Sequence, residues 1–361
     1  MRRLKRLAKR LLAVRFIRRL YNGTTRAFLA FGGSSRVTAT IYSWFGWFTH
    51  NREQYAVLAG RREYYKNLKR HRPSHVELRR NIHRLEKGLL MRPAREVFAR
   101  DYIEEAVEFY AHALSRPDTL AGKDDGEIEW AHDVLVRYFS VVSAPDPVVA
   151  KARAAFEALP APASSGDHFP YPVSRLRKTD VTYKQLLDLA LNRRSVRWFQ
   201  DKPVPRKLID QALLVARQSP SACNRLPYEF VVFDDPESVS TVAGIPFGAS
   251  GYSHQIPTIV VVKADLSCYF SPRDRHVPYI DASLASMSFI FALETLGLGS
   301  CPINWPDFEP LEAKLAKTLG LKPYERVVML LAVGYADPTG KVASSKKKDL
   351  DTIRRYDARD Q

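Results

Sequence analysis

Hydrophobic residues in the second half of the chain alternate between helical and strand-like spacing. Thr182 and Gln185 form a capping-box pattern that opens a helix, and Ile256–Val262 is rich in β-branched residues, which is typical of a buried strand. Ile280–Leu296 is apolar on all sides, which predicts a helix buried in a core. Further helices are predicted over 205–217 and 308–319, and further strands over 230–233 and 326–333. This order predicts an α+β domain in which helices cover a sheet in three layers.

The first half of the chain is predicted to be mainly helical. Amphipathic runs predict helices over 74–88, 100–114, 127–142 and 148–159. Ser74 and Glu77 form a capping-box pattern at the start of the first helix, and Gly88 stands where a C-terminal cap is expected. Prolines and serines between 161 and 180 are typical of a linker. We therefore divide the chain into a basic helical region, 1–160, a linker, 161–180, and an α+β domain, 181–361.

Positive charge is concentrated at the N-terminal end. The net charge is +17, and residues 1–100 hold 25 Lys and Arg against 5 Asp and Glu, so the remainder is close to neutral. Residues 1–20 have the pattern of a basic amphipathic helix; residues 37–49 are uncharged and aromatic, but shorter than the roughly 20 residues that span a bilayer. We therefore expect a peripheral contact of residues 1–50 with an anionic membrane surface. A solvated basic tail and a helix packed on the rest of the chain are the alternatives.

Other chemistries find less support. Cys223, Cys268 and Cys301 are far apart and form no C-x-x-C pair, which excludes a disulfide framework and a cysteine zinc site and fits a reducing, cytoplasmic location. His83 and Glu86 lie one helical turn apart, but no second such motif accompanies them, so we expect an ion pair and no metal. Nucleic-acid binding is not favoured, because the basic stretch matches no recognised module.

Three arginines and a serine form the first candidate binding segment. Arg193, Arg194, Ser195 and Arg197 stand at the end of a predicted helix, just before a turn that contains proline. Arg offers a planar fork of N–H donors that matches phosphate oxygens, and Ser adds a hydroxyl donor. The segment therefore predicts a phosphate site, although such a run is also typical of a solvated helix end.

Three further segments add candidate residues. Ser219–Tyr228 is a polar loop stiffened by prolines, and its Ser and Asn side chains suit hydroxyls or ring carbonyls. Leu296–Trp305 follows the apolar helix that carries Asp281; its Gly-x-Gly closes a helix and so is not a dinucleotide-binding fingerprint. Ser345–Lys348 supplies a second cationic group. The candidate residues of these segments are Pro220, Ser221, Asn224, Pro302, Ile303, Asn304, Lys346 and Lys348.

Taken in order, Arg-Arg-Ser-x-Arg-x-Phe, Pro-Ser-x-x-Asn-x-x-Pro-Tyr and Leu-Gly-Leu-Gly-Ser-Cys-Pro-Ile resemble the nitroreductase family of FMN-dependent oxidoreductases over about 181–350. The resemblance implies a mixed sheet flanked by helices, and a homodimer with two FMN molecules at the subunit interface. It implies hydride transfer from NAD(P)H, either NADH or NADPH, through FMN to an electron-poor acceptor. By the same resemblance Ser221 and Asn224 reach the flavin of the partner subunit, and Pro302–Asn304 pass beside the ring with a backbone N–H near N5. The implied phosphate ligands are Arg193, Arg194, Ser195, Arg197, and Lys346 or Lys348.

The resemblance is incomplete at several positions. Family members often carry Gln and Trp where this chain has Leu226 and Tyr228. They commonly carry a small residue at the position of Trp305, so we expect the larger indole to narrow the substrate slot. Arg79–Leu89 resembles extensions of nitroreductase-like proteins linked to bacterial surface-polysaccharide production. No general acid is identified, so the catalytic residues stay open. The alternative to an enzyme is a non-catalytic flavin-binding or scaffold protein at the inner membrane surface.

Overall fold

The computed structural model of the protein describes residues 15–45, 51–69, 76–115, 125–142, 145–162 and 166–356. These residues divide into two units, Met1–Ala56 and Val57–Gln361, which are described separately. Most of the basic helix predicted over 1–20, the end of the aromatic segment 37–49, and the Ser74 cap lie outside the described residues.

Within the described residues the first unit contains α1 (Arg15–Gly32), α2 (Arg36–Phe45) and the start of α3 (Asn51–Lys69), which continues into the second unit. Ser35 precedes α2 and exchanges hydrogen bonds with Thr38: the Thr38 N–H donates to Ser35 Oγ at 3.2 Å, and the Ser35 N–H donates to Thr38 Oγ1 at 3.0 Å. This reciprocal bonding satisfies N–H groups that a helix start leaves without partners, so α2 begins where the sequence supplies a cap.

Four helices of the second unit between residues 76 and 157 pack around a core of their own. They are α4 (Val76–Leu89), α5 (Ile103–Ser115), α6 (Asp125–Val141) and α7 (Pro147–Glu157). Leu78, Ile82 and Leu85 form the buried stripe of α4, as the 3.6-residue spacing predicted, and they join a cluster that includes Tyr110 and Tyr138. The buried Tyr138 hydroxyl donates to the Phe98 carbonyl at 2.7 Å, which satisfies the polar end of a core side chain.

Gly88 does not cap α4, contrary to the expectation from the sequence. It lies inside the helix, which continues to Leu89, and a Cβ at this position would come within 2.0 Å of Phe98 Cε2. Glycine is therefore required here because an aromatic ring packs against the helix backbone, a tertiary reason that local sequence does not reveal.

The remaining elements form the α+β domain that the sequence predicted. They are α8 (Tyr183–Asn192), α9 (Arg206–Ala216), β1 (Tyr228–Phe233), α10 (Pro236–Ala243), β2 (Thr258–Asp265), α11 (Val277–Thr295), β3 (Gly299–Asn304), α12 (Glu309–Leu319), β4 (Glu325–Gly334) and α13 (Leu350–Ile353). Within the described residues the strand order is β1-β2-β4-β3, and every pair of neighbouring strands is antiparallel. Parallel pairing occurs at one isolated bridge, between Ser195 and Ser300. The sequence analysis predicted neither α10 nor β3 as a regular element.

Helices cover both faces of this sheet. Ile259 and Val261 of β2 pack with residues of α10 and α12, whereas Val260 and Val262 pack with residues of α9 and α11. The apolar run of β2 is therefore buried on both faces, which confirms the three-layer arrangement. The segment Pro272–Thr295, which contains α11, is long and apolar enough to cross a membrane by length and composition, and half of its apolar window is buried in the protein.

The division of the chain at 161–180 stays a prediction. Within that stretch the structure describes a single 3₁₀ turn, Val173–Arg175, whose residues are exposed. Residues on both sides of it belong to the second unit.

Candidate functional site

The arginine segment, Arg193–Arg197, follows α8 and joins the edge of the sheet. Thr182 caps α8 as predicted, because its hydroxyl accepts from the Gln185 N–H and its own N–H donates to the Gln185 side chain. Beyond the helix, the Val196 N–H donates to the Ser300 carbonyl at 3.0 Å, which brings the segment against β3. A Cβ on Gly299 would lie 2.9 Å from Val196 Cγ2, so the close approach depends on that glycine.

The arginines of this segment have weak partners in their own chain: Arg197 donates to the Ser195 carbonyl at 3.4 Å, and Arg193 lies near Glu294. Within the described residues no ion pair involves Arg193, Arg194 or Arg197, and Arg197 is exposed. Burial raises the pKa of the Glu294 carboxyl, while the neighbouring Arg193 partly lowers it again. The segment therefore presents guanidinium groups that remain available to an anion, as the predicted phosphate site requires.

The pleat of β3 sorts the predicted ring-contacting residues between two faces. Pro302 and Asn304 are exposed, whereas Cys301 and Ile303 are buried in the core. The expectation that Ile303 offers its side chain to a flat ring is therefore wrong, because alternate residues of a strand point to opposite faces. The Ser300 carbonyl faces Val196, so the period of two places the Pro302 carbonyl and the Asn304 N–H on the same outer edge.

Trp305 belongs to the core and does not narrow a substrate slot. Its side chain is buried, and the indole N–H donates to Glu312 Oε1 at 2.5 Å. Glu312 also pairs with the buried Arg326, whose second nitrogen reaches Asp307 at 3.1 Å. The indole therefore satisfies a buried carboxylate, which corrects the expectation from the sequence.

Lys346 and Lys348 lie on an exposed extended segment beyond β4. Between β4 and these lysines the chain passes beside Trp198, the residue after the arginine segment. There the Asp337 N–H donates to the Trp198 carbonyl at 3.0 Å. Gly340 also lies against the Trp198 side chain. Six residues separate Gly340 from Lys346 and span at most about 20 Å, and within the described residues no hydrogen bond or ion pair joins either lysine to the arginines.

The loop that contains Pro220, Ser221 and Asn224 is held by α11. The Ser221 hydroxyl and the Ala222 N–H both donate to Asp281 Oδ2, at 2.8 and 3.0 Å, and the Leu226 N–H donates to Ser221 Oγ at 2.8 Å. The Ser221 side chain thus fixes the conformation of its own loop, a role that the sequence of the loop did not predict.

The structure does not bring this loop to the arginine segment of the same chain. Asp281, which holds the loop, lies near the start of α11, whereas Glu294, beside Arg193, lies at its end. Thirteen residues of helix correspond to roughly 20 Å. One chain therefore carries the predicted cofactor residues as two separate groups.

Two residues outside the predicted set support these groups. The Gln255 side chain accepts from the Phe199 N–H at 3.0 Å and donates to the Arg197 carbonyl, so it fixes the end of the arginine segment. Arg79 of α4 donates through Nε to the Asn224 carbonyl at 2.5 Å. No local signal indicates Gln255, but Arg79 belongs to the motif Arg79–Leu89 that the sequence analysis noted.

His83 and Glu86 are in contact as expected, with Nδ1 3.3 Å from Oε2. Glu86 also accepts from the Trp130 indole N–H at 3.0 Å, so the pair belongs to the packing between α4 and α6. No group of three or more potential metal ligands occurs among the residues that the structure describes.

A cleft of about 590 Å³ lies elsewhere, beside the end of β1 and the start of β2, and contains none of the predicted site residues. Its lining includes Lys202, Asp234, His254 and Thr258. We place the candidate site at the arginine segment and β3, because the predicted binding residues Arg193–Arg197 and Pro302–Asn304 lie there.

Comparison with known proteins matches a part of the chain that contains both the candidate site and this cleft. The model of the Nitroreductase family matches residues 190–249 and 245–335, which include the arginine segment, the loop and β3. A protein of Methanothermobacter thermautotrophicus, described as an NADH dehydrogenase/NAD(P)H nitroreductase, is 31% identical over 139 residues, covering 37% of this chain and 67% of the relative. Human iodotyrosine deiodinase 1 is 25% identical over 214 residues, covering 52% of this chain and 72% of the relative.

Solved structures of similar proteins match about half of the chain. A structure from Parabacteroides distasonis, described as an NADH dehydrogenase/NAD(P)H nitroreductase, is 26% identical with a TM-score of 0.42, covering 47% of this chain and 97% of its own. An FMN-dependent nitroreductase from Clostridium difficile is 23% identical with a TM-score of 0.41, covering 47% and 98%. On the family match and the identity to the Methanothermobacter protein, this chain belongs to the nitroreductase family of oxidoreductases.

Proposed function

We propose that the protein is an FMN-dependent oxidoreductase that takes hydride from NADH or NADPH and passes it to a small electron-poor acceptor. The observation that carries the proposal is the cluster of Arg193, Arg194 and Arg197, which form no salt bridge within the described residues, beside the open edge of β3. FMN consists of a phosphate and a flat ring system joined by a short chain. Its phosphate needs cationic side chains, and its ring needs an exposed strand beside them.

The residues present fit FMN. Arg193, Arg194, Ser195 and Arg197, with Lys346 or Lys348, would hold its phosphate through charge-assisted hydrogen bonds. The exposed face of Pro302 and the outward N–H of Asn304 would lie along its ring system. When bound, FMN supplies the hydride-transfer chemistry, and the chain supplies binding and orientation.

The separation of the two groups of residues favours a homodimer. Ile280, Leu284 and Met287 form an exposed apolar stripe on α11, beside the loop that carries Ser221. Leu186, Leu187 and Leu191 of α8 are exposed as well. Large contiguous apolar surfaces mark interaction sites, so we infer that a second copy of the chain covers them and brings its loop to the first chain's arginine segment.

The dimer is tested by substituting Leu284→Glu in the full chain. A charge in an apolar interface should yield a monomer in analytical ultracentrifugation, with FMN affinity lost together with the partner's loop. Glu237→Gln, an exposed change on α10, serves as control. A monomeric wild-type protein that still binds FMN tightly would contradict the shared site.

Cofactor and turnover are tested by the absorption spectrum of the purified protein. We expect a flavin spectrum, release of FMN on denaturation, and anaerobic bleaching by NADH or NADPH. Protein that is colourless and does not bind added FMN would refute the proposal. Bound FMN that neither nucleotide reduces would favour the alternative, a non-catalytic flavin-binding protein.

The acceptor is best sought in a panel that the relatives' names suggest. NAD(P)H nitroreductase points to nitroaromatic compounds, and iodotyrosine deiodinase points to halogenated phenols. Oxidation of pre-reduced protein by a nitroaromatic, a quinone and iodotyrosine, followed by stopped flow, would rank the three classes. A role in surface-polysaccharide production stays a prediction.

We also infer that α1 contacts an anionic membrane surface from the cytoplasmic side. Phe16, Leu20, Phe28 and Phe31 are exposed along one side of α1, and its sequence places arginines on the opposite side. An exposed apolar stripe backed by positive charge is the pattern of helices that lie in the membrane interface.

This contact is tested with lipid vesicles, with and without phosphatidylserine. Binding should require the anionic lipid and should fall with Leu20→Glu and Phe28→Glu. Thr25→Glu adds the same charge on the polar side of α1 and should weaken binding much less. Equal effects of all three substitutions would indicate charge attraction without insertion of the apolar side.

A further inference from the structure

The backbone of the loop Ser221–Leu226 is strained. Cys223, Asn224 and Leu226 have φ values of 54°, 53° and 50°, in the left-handed region that favours glycine. Three side-chain-bearing residues persist in such a conformation only where surrounding contacts over-determine it, and strain of this kind is concentrated at ligand-binding sites.

Two residues from different helices hold the loop, the buried Asp281 and the partly buried Arg79. Asp281 of α11 accepts hydrogen bonds from Ser221 and Ala222, as described above. Arg79 of α4 donates to the Asn224 carbonyl at 2.5 Å, and its side chain is only 14% exposed. The first residue belongs to the α+β domain and the second to the N-terminal helical region.

Arg79 is itself fixed by α6. Its guanidinium lies 3.3 Å from the buried Glu127 carboxylate and 5.4 Å from the centroid of the Trp130 ring. One guanidinium thus bridges α4, α6 and the loop, which a lysine could not do, because the planar fork presents several N–H donors in fixed directions.

The hydrogen bond from Arg79 leaves the Asn224 side chain unoccupied. The Asn224 N–H donates to the Ser221 carbonyl and the Asn224 carbonyl accepts from Arg79, while its side-chain amide makes no hydrogen bond within the described residues. Arg79 therefore fixes the backbone of the residue whose side chain is predicted to contact the cofactor.

We propose that Arg79 is a positioning residue of the cofactor site, through which the N-terminal helical region holds the loop Ser221–Leu226 in its binding conformation. The proposal rests on the proposed function, since the loop is taken to contact FMN in the partner subunit. It makes the helices before residue 160 a structural part of the flavin site and gives the motif Arg79–Leu89 a definite role.

The test compares Arg79→Met with Arg84→Met in the full chain. Arg84 lies on the same helix and likewise contacts a carboxylate, Asp101 at 3.1 Å, and a ring, Tyr102, but it does not touch the loop. We expect Arg79→Met to raise the Kd for FMN about tenfold and to speed amide hydrogen exchange in residues 220–228 of the FMN-free protein. Arg84→Met should change neither.

Wild-type Kd and exchange in Arg79→Met, or equal changes in both variants, would overturn the proposal. If Arg79→Met does not fold, Arg79→Lys replaces it: Lys keeps the charge beside Glu127 but not the fork, so the same two changes are expected, and their absence is equally decisive. Failure of the wild-type protein to bind FMN would refute the proposed function instead, while hydrogen exchange still decides whether Arg79 holds the loop.

Discussion

The arginine segment and the loop Ser221–Leu226 are both polar in sequence, but in the folded chain their polar groups differ in the partners that bind them. The loop's polar groups are bound by Asp281 and Arg79 of its own chain, whereas Arg193, Arg194 and Arg197 form no salt bridge within the described residues. The difference indicates that the loop is shaped before a ligand arrives, while the arginines are left to bind one.

The largest expected effect comes from Arg193→Ala combined with Arg197→Ala. Hydrogen bonds to charged groups contribute about 1.5–3 kcal/mol each, so the Kd for FMN should rise at least about 100-fold in fluorescence titrations. The free energy of unfolding should change much less than the binding free energy, because neither arginine forms a salt bridge; Arg193 only lies near Glu294, and Arg197 donates to the Ser195 carbonyl. Arg206→Ala, which removes an arginine paired with Asp234, is the control and should leave the Kd unchanged. A large loss of stability in the double variant would mean that the arginines serve the fold.

Asp281→Asn should show the reverse pattern, with stability affected first. The amide can keep one oxygen toward the Ser221 hydroxyl and the Ala222 N–H, but it loses the negative charge that strengthens both hydrogen bonds in this buried position. We expect a loss of about 2–3 kcal/mol in urea unfolding, accompanied by weaker FMN binding. Asp188→Asn, at an exposed helix pair with Lys184, should cost less than about 0.5 kcal/mol. Unchanged stability in Asp281→Asn would contradict a pre-shaped loop.

Trp305→Phe tests whether the residue beyond β3 belongs to the core or to the site. Loss of the indole N–H leaves a buried oxygen of Glu312 without its donor, which should cost about 1–3 kcal/mol. Kinetics with the best acceptor should keep the wild-type KM. Trp44→Phe, at an exposed position, is the matched control for stability. An altered KM at unchanged stability would contradict the core position and indicate that Trp305 lines the substrate slot.

The smallest expected effect is on the pH dependence of stability, and it comes from the ion pair between Lys263 and Glu325. Lys263 Nζ lies 2.6 Å from Glu325 Oε1, and the Lys322 N–H donates to Glu325 Oε2 at 2.7 Å. Burial raises the pKa of Glu325, but these hydrogen bonds outweigh it and lower the pKa below its ordinary value of 4.5. A lowered carboxyl pKa stabilises the fold above pH 4.5, and the contribution disappears as the pH falls through the folded-state pKa. Wild-type protein should therefore lose stability below that pH more steeply than Glu325→Gln, as measured by urea unfolding; equal slopes would contradict the pair's contribution.

The sequence by itself determined the elements that depend on short-range patterns. The capping box of Thr182 and Gln185 predicted the start of α8, and the apolar runs at 256–262 and 280–296 predicted β2 and α11 to within a few residues. These signals are local, because a cap bonds within one turn and burial on both faces requires a continuous apolar run. The ordered motifs also identified the family, since they carry the residues that this family's site needs.

Tertiary structure alone decided how each candidate is used. The pleat of β3 buried Ile303 and Trp305 and exposed Pro302 and Asn304, a choice that depends on the register with β4. Gly88 is required by the ring of Phe98, which lies ten residues away and contacts the helix only in the folded chain. Arg79 meets the Asn224 carbonyl across 145 positions of sequence. Such contacts follow from packing between elements, and no window of sequence contains both partners.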